Sequence, residues 1–297
     1  MKGLTRLADL EVPVIIDLLD RAEVIREMEV RARRDLLRHK RVVTAFFERS
    51  TRTKVSFTMA ATSAGCQVVD FAVDGSSVGK GESLRDTFLT LGAIGCDVFV
   101  VRHSEHGVPA AVEDWTGIPV ISGGEGRISH PTQTLLDLLT MRDVFHRFEG
   151  LSVGVVGDIV NSRVASGLIE ALPRLGAAVH LVGPQALVGD LWAGQVQITD
   201  DLDAVIGSLD VVYALRLQLE RGSGELITDA GEFRRGFGMT KERMARMKPH
   251  ARVMHAGPMN RGVEIDSEVA DSARSLVLSQ VANGVPVRMA CLERATR

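Results

Sequence analysis

Cysteine is scarce in this chain: Cys66, Cys96 and Cys291 lie far apart and form no Cys-x-x-Cys spacing. That excludes a local zinc motif and a disulfide framework, and it fits a reducing compartment. Long apolar runs are lacking as well. No stretch approaches the ~18 residues of a membrane span, and Asp9 and Glu11 interrupt the region where a secretory leader needs unbroken apolar residues. The expectation is a soluble, cytoplasmic protein with no membrane partner. Nor is there an excess of positive charge: 35 Lys and Arg against 38 Asp and Glu leave a net charge of −3, so no global field draws the chain to nucleic acid. The densest basic stretch, Arg31, Arg33, Arg34, Arg38, Lys40 and Arg41, has no aromatic residues interleaved and reads as a solvated helix end. Internal repeats and low-complexity tracts are missing.

What remains is an ordinary globular composition, 45% hydrophobic and 25% charged over 297 residues, long enough for about two domains. From Ile15 the apolar residues Leu18, Leu19, Ala22, Ile25 and Met28 recur at helical spacing. Short runs of strand formers follow at Val42–Phe47, Val68–Phe71, Asp97–Arg102 and Ile118–Ile121, each separated by enough chain for a helix or a long loop. A second set comprises Leu151–Val156, Val179–Val182, Val211–Leu215 and Arg252–His255. This alternation predicts an α/β protein with parallel sheets in two halves. Thr134–Phe148 reads as one continuous helix bridging them, without a Pro/Gly-rich linker.

The chemistry-bearing residues gather where strands end. Glu48-Arg49-Ser50-Thr51-Arg52-Thr53 follows the first strand and opens a helix-compatible stretch. Hydroxyl residues there cap free backbone N–H groups, and those groups, the helix dipole and Arg52 make an anion cradle without a glycine-rich loop. In His130-Pro131-Thr132-Gln133 the proline suits a first helical turn, and His130 and Gln133, three apart, can converge on one spot. An imidazole and an amide suit a carbonyl that becomes an oxyanion and carries an amide nitrogen. Arg102 ends a strand, where ligands of open α/β sheets gather. Ser76-Ser77-Val78-Gly79-Lys80-Gly81-Glu82 reads as a loop whose Lys80 can close over an anion.

In the second half, Asp158-Ile159-Val160-Asn161-Ser162-Arg163 stands where a dinucleotide fold carries Gly-x-Gly-x-x-Gly; Gly154 and Gly157 are spaced wrongly for it. A nicotinamide enzyme is therefore disfavoured. Arg163 supplies a side-chain cation instead, and Arg216 and Gln218, two apart at a strand end, face one way. With Lys80 these cations suit a dicarboxylate.

These blocks, in this order, resemble the aspartate carbamoyltransferase family from about Leu4 to Ala295. The resemblance implies two Rossmann-like domains, each a parallel sheet flanked by helices and joined by bridging helices: 1–137 for carbamoyl phosphate, with a C-terminal helix 283–297 packing back on it, and 138–282 for L-aspartate. It implies carbamoyl-phosphate contacts at Ser50, Thr51, Arg52, Thr53, Ser77, Arg102, His130, Gln133, Gly257 and Pro258, and aspartate contacts at Lys80, Arg163, Arg216 and Gln218. Catalysis is expected of Arg52, Thr53, Lys80, Arg102 and His130, with no metal or redox cofactor. A homotrimer with shared sites is implied, the loop bearing Ser77 and Lys80 reaching a neighbour; some family members add regulatory chains or dihydroorotase. Ornithine carbamoyltransferases carry cysteine where Thr132 stands and His-Cys-Leu-Pro where His255-Ala256-Gly257-Pro258 stands, so aspartate is the expected acceptor.

Three departures from the family pattern stand out: Arg49 for proline or alanine, Ala256 for proline, and Ile121-Ser122-Gly123-Gly124-Glu125-Gly126 for Asn-Ala-Gly-Asp-Gly. They keep two alternatives in view, a carbamoyltransferase for another amine acceptor and a non-catalytic assembly homologue.

Overall fold

A computed structural model describes residues 3–72, 81–218 and 229–297; Ser77 and Lys80 lie outside them. The chain divides into two compact units, residues 1–139 with 282–297, and residues 140–281.

In the first unit, helix α1 (Val12–Glu27) buries Ile15, Leu18, Leu19, Ala22 and Ile25, the face its apolar spacing predicts. Each such side chain contributes about 1.5–3 kcal/mol by leaving water. After α2 (Val30–Asp35), strand β1 (Arg41–Phe46) leads into α3 (Thr51–Ser63). Next come β2 (Gln67–Phe71), α4 (Leu84–Gly95), β3 (Val98–His103), α5 (Val108–Thr116), β4 (Val120–Glu125) and α6 (Pro131–Phe145). The four strands form a parallel sheet ordered β2-β1-β3-β4. Val43, Ala45, Phe99 and Val101 of the inner strands pack with Phe88, Val108 and Val112 of the covering helices. β1 and β3 are buried continuously, as strands covered on both faces must be.

The second unit is a five-stranded parallel sheet ordered β7-β6-β5-β8-β9. Its strands are β5 (Ser152–Val156), β6 (Ala178–Val182), β7 (Gln197–Thr199), β8 (Val211–Ala214) and β9 (Arg252–Met254), with α7 (Arg163–Ala171) after β5. Val156, Val182, Val212 and Val253 from the sheet join Leu202, Ile206 and Leu209 in its core.

Eight of these strands overlap the expected runs; β7 was not expected. The predicted helix at Thr134 begins three residues earlier, at Pro131, and ends at Phe145. The last helix, Val277–Thr296, carries Pro286 inside it. No helix among the described residues is long and apolar enough to cross a membrane.

Candidate functional site

Both sheets reverse their strand order once in the middle, and open parallel sheets bind ligands beyond the strand ends at such a reversal. In the first sheet the chain runs from β1 outward to β2 on one side and continues through β3 on the other. Ser50–Thr53 leaves β1 and Arg102 ends β3, so the reversal brings the cradle and the arginine together, with Phe46 paired to Arg102 across the two strands. The β3–β4 register slips between Val101 and His103, a local irregularity of the kind that re-aims a side chain, and Arg102 sits on it.

Ser50 is the N-cap residue of α3 in extended backbone, but its side chain makes no cap hydrogen bond. The expected hydroxyl cap is thus not formed, and the first-turn N–H groups keep no partner within the helix. Arg52 is exposed beside them and Thr53 is buried. Thr53 Oγ1 and His130 Nε2 stand 3.4 Å apart, a long contact that leaves both atoms able to turn to a ligand oxygen. His130 is buried just before α6. One turn on, Gln133 Nε2 donates to Asp137 Oδ1 at 3.0 Å, so the group it has left for a ligand is its amide oxygen, an acceptor for N–H.

Arg102 is only 7% exposed; its Nη1 donates to the Gly123 carbonyl at 3.1 Å and its Nη2 to Glu48 Oε1 at 3.3 Å. The unusual Ile121–Gly126 segment therefore supplies the carbonyl that orients this cation. A Cβ at Gly123 would stand 3.4 Å from Arg102 Cβ and 3.3 Å from the Phe46 ring. Within the same segment Ser122 Oγ accepts from the Gly124 N–H, and buried Glu125 accepts from the Gly107 N–H at 2.9 Å. Arg49 is exposed.

In the second sheet the reversal lies between β5 and β8. Gly157 turns the chain out of β5 at φ +120°, and any Cβ there would press to 3.0 Å from the Leu215 carbonyl. Buried Asp158 accepts from Asn161 Nδ2 at 2.9 Å and from the Gln218 N–H at 3.2 Å, and Gln218 Nε2 donates to the Asn161 carbonyl at 2.8 Å. The turn after β5 and the segment after β8 are thereby laced together. Ser162 caps α7 by accepting from the Ala165 N–H, which starts the helix with buried Arg163. β8 ends at Ala214, so Arg216 and Gln218 lie in irregular chain beyond it, and Gln218 is held by the Asp158 turn rather than by strand alternation.

A third strand end, after β9, reaches the same place. Gly257 and Pro258 are joined by a cis peptide bond. His255 Nδ1 accepts from the Gly257 N–H at 2.8 Å; its Nε2 therefore carries the hydrogen and donates to Glu264 Oε1 at 3.2 Å. Glu264 also accepts from the Asn260 N–H at 2.6 Å, and Asn260 Nδ2 donates to the Leu217 carbonyl at 3.2 Å. The segments that carry Arg163, Arg216, Gln218 and the Gly257-Pro258 turn are thus tied to one another.

The sequence reading gave no role to the residues that hold the others: Glu48 and Asp158, which stand inside the motifs, and Asp137 and Glu264, which do not. Asp137 had a signal, four residues after Gln133 on a helix. Glu264 had none, because its partners meet it only through the fold of the loop. Among the described residues no group of three or more His, Cys, Asp or Glu side chains could hold a metal ion.

Two family models divide the chain as the sheets do. The aspartate/ornithine carbamoyltransferase carbamoyl-P binding domain matches residues 2–143, and the Asp/Orn binding domain of the same family matches residues 149–294. The chain belongs to the aspartate/ornithine carbamoyltransferase family. It is 47% identical to the aspartate carbamoyltransferase catalytic subunit of Salinispora tropica over 98% of this chain and 97% of that one. With the subunit of that name from Thermobifida fusca it shares 47% identity over 98% of this chain and 94% of the relative. Among solved structures, the aspartate transcarbamoylase of Trypanosoma cruzi in complex with carbamoyl phosphate and aspartate superposes with a TM-score of 0.85 at 28% identity, covering 98% and 95% of the two chains. The same enzyme in complex with N-(phosphonacetyl)-L-aspartic acid gives 0.87 at 30% identity, covering 98% and 94%.

Proposed function

We propose that the chain transfers the carbamoyl group of carbamoyl phosphate to the α-amino group of L-aspartate, an early step of pyrimidine biosynthesis, in the cytoplasm. The observation that carries this reading is the meeting at one sheet reversal of an uncapped helix start with Arg52, the buried Arg102 and the Thr53–His130 pair. The N–H groups of α3 with Arg52 hold the phosphate. Thr53, Arg102 and His130 point donors at the carbonyl oxygen, where charge builds up as the amine adds to carbon. The Gln133 amide oxygen accepts from the carbamoyl nitrogen. Arg163, Arg216 and Gln218 receive the two carboxylates of the acceptor. A carbon–nitrogen bond forms, the carbon–oxygen bond to phosphate breaks, and the departing phosphate takes up the amine proton.

Buried Thr132, in place of the cysteine of ornithine enzymes, and Ala256-Gly257 favour aspartate over ornithine. The reading includes a homotrimer in which Ser77 and Lys80 come from a neighbour. It is tested by incubating the protein with carbamoyl phosphate and a panel of amino acids and scoring ureido products. Carbamoylaspartate is the expected product, and Arg52→Ala should abolish it while the thermal transition stays in place. Near-normal turnover by that variant overturns the assignment.

A further inference from the structure

The reaction scheme above has no use for His255, yet this residue is 2% exposed and both of its ring nitrogens are engaged. Its backbone is held without the ring. The His255 N–H donates to Oε1 of buried Gln280 at 3.0 Å, and Gln280 Nε2 donates in turn to the Tyr213 hydroxyl at 3.3 Å. At the other end of the loop the Glu264 carbonyl accepts from the Met239 N–H at 3.0 Å. Residues 256–263 therefore run between two fixed points, and the buried side chains of His255 and Glu264 meet inside the loop they enclose.

The pair has a direction. Nδ1 accepts from the Gly257 N–H at 2.8 Å, which leaves the hydrogen on Nε2, and Nε2 donates to Glu264 Oε1 at 3.2 Å. The same Oε1 accepts from the Asn260 N–H at 2.6 Å, while among the described residues the buried Glu264 Oε2 has no hydrogen-bond partner. A buried carboxylate held through one oxygen loses either of its donors only at a cost. Asn260 carries the hold outward: its Nδ2 donates to the Leu217 carbonyl at 3.2 Å, and the Leu217 side chain packs with Leu187 and Phe233. Leu217 stands between Arg216 and Gln218, the two residues to which the proposed reaction gives carboxylates of the acceptor.

We infer that His255 is a positioning residue for the acceptor-binding segment: its Nε2 keeps Glu264 on Asn260, and Asn260 keeps Leu217, with Arg216 and Gln218 on either side, in the place where the acceptor binds. Nδ1 has the separate task of closing the turn at Gly257. The inference rests on the carbamoyl-transfer reading, which makes Arg216 and Gln218 acceptor contacts.

The two nitrogens can be removed one at a time, because asparagine offers an acceptor near the place of Nδ1 and glutamine a donor near the place of Nε2. His255→Asn should raise the KM for aspartate by about tenfold or more, the worth of a hydrogen bond to a charged group, and leave the KM for carbamoyl phosphate within about twofold. His255→Gln should keep the KM for aspartate within about threefold of wild type. A ring that merely fills space predicts equal losses in the two. Asn260→Ala should reproduce the rise seen in His255→Asn, and the double variant should be no worse than Asn260→Ala alone, since both cut one path. If His255→Asn does not fold, Asn260→Ala carries the test, and an unchanged KM for aspartate there overturns the inference. Equal losses in His255→Asn and His255→Gln overturn it too, as does a double variant whose rise is the product of the single ones. Hydrogen exchange over residues 211–218 keeps this apart from the functional reading: faster exchange in His255→Asn than in His255→Gln supports the inference whatever the activity, and equal rates overturn it. Wild-type protein that makes no carbamoylaspartate overturns the functional reading alone.

Discussion

The Thr53–His130 contact sets what single substitutions should do. At 3.4 Å it is too long to add much stability, so its atoms are better placed for a ligand than for each other. In the proposed reaction, Thr53→Val and His130→Ala each remove one donor from the carbonyl oxygen. Each should lower kcat by about 10²–10³-fold, as loss of a fixed oxyanion donor does elsewhere. The KM for carbamoyl phosphate should change far less, since the proposed reaction leaves the phosphate to α3 and Arg52. Initial-rate measurements with both substrates varied check this; a loss confined to KM would move these side chains from the carbonyl to the phosphate. The donors themselves were legible because their chemistry is written in single residues next to strand and helix signals: Arg52 and Thr53 after a strand, His130 before a proline. Their supports were not. Glu48 orients Arg102, and Glu264 clamps the 255–264 loop, through contacts set by tertiary packing.

At the scale of elements, parallel strands announce themselves as short continuous apolar runs, which is why β1 and β3 could be read directly. β7 could not, because Gln197–Thr199 is a three-residue edge strand that is nowhere buried. The turns between elements are where fold and site meet. Gly157 at φ +120°, with the Leu215 carbonyl 3.0 Å from any added Cβ, lets the post-β5 turn close on the post-β8 segment. Gly157→Ala should cost about 1–3 kcal/mol of backbone strain, read as a lower urea midpoint, and should raise the KM for aspartate more than that for carbamoyl phosphate. The opposite end of the same sheet has a different fastening. Burial disfavours the Asp210 carboxylate, but Lys248 Nζ at 2.7 Å, the Ser152 N–H at 2.9 Å and His250 Nε2 at 2.8 Å prevail and hold its pKa below the ordinary aspartate value. With the folded value depressed, this stabilisation is present above the unfolded pKa of about 3.9 and is lost as pH falls through the folded one. Asp210→Asn should therefore cost about 1.5–3 kcal/mol at pH 7, the worth of hydrogen bonds to a charged group. In urea titrations the gap to wild type should close below about pH 4.

The molecule as a whole brings in the part of the proposed site that lies outside the described residues. In the proposed site the described residues of the first unit supply the cradle, the donors and the Gln133 acceptor, but Ser77 and Lys80 are not among them. If Lys80 serves the chain that carries it, a variant lacking Lys80 and a variant lacking Arg52 are each defective in every site and no mixture can help. If Lys80 serves a neighbour in a closed ring, the defects separate. A site formed by the intact Arg52 of one chain and the intact Lys80 of the next is complete, although neither parent protein contains one. Dissociating Arg52→Ala and Lys80→Ala proteins together and reassembling them in equal amounts should then restore about one quarter of wild-type activity, the product of two even chances at each site of a symmetric trimer. Each variant treated alone in the same way should stay inactive. Sedimentation of the active fraction gives the number of chains, and its activity should vanish on dilution to the monomer. Reassembled mixtures of trimers that remain as inactive as their parents would place Lys80 in its own chain's site, and would leave assembly without a part in the chemistry.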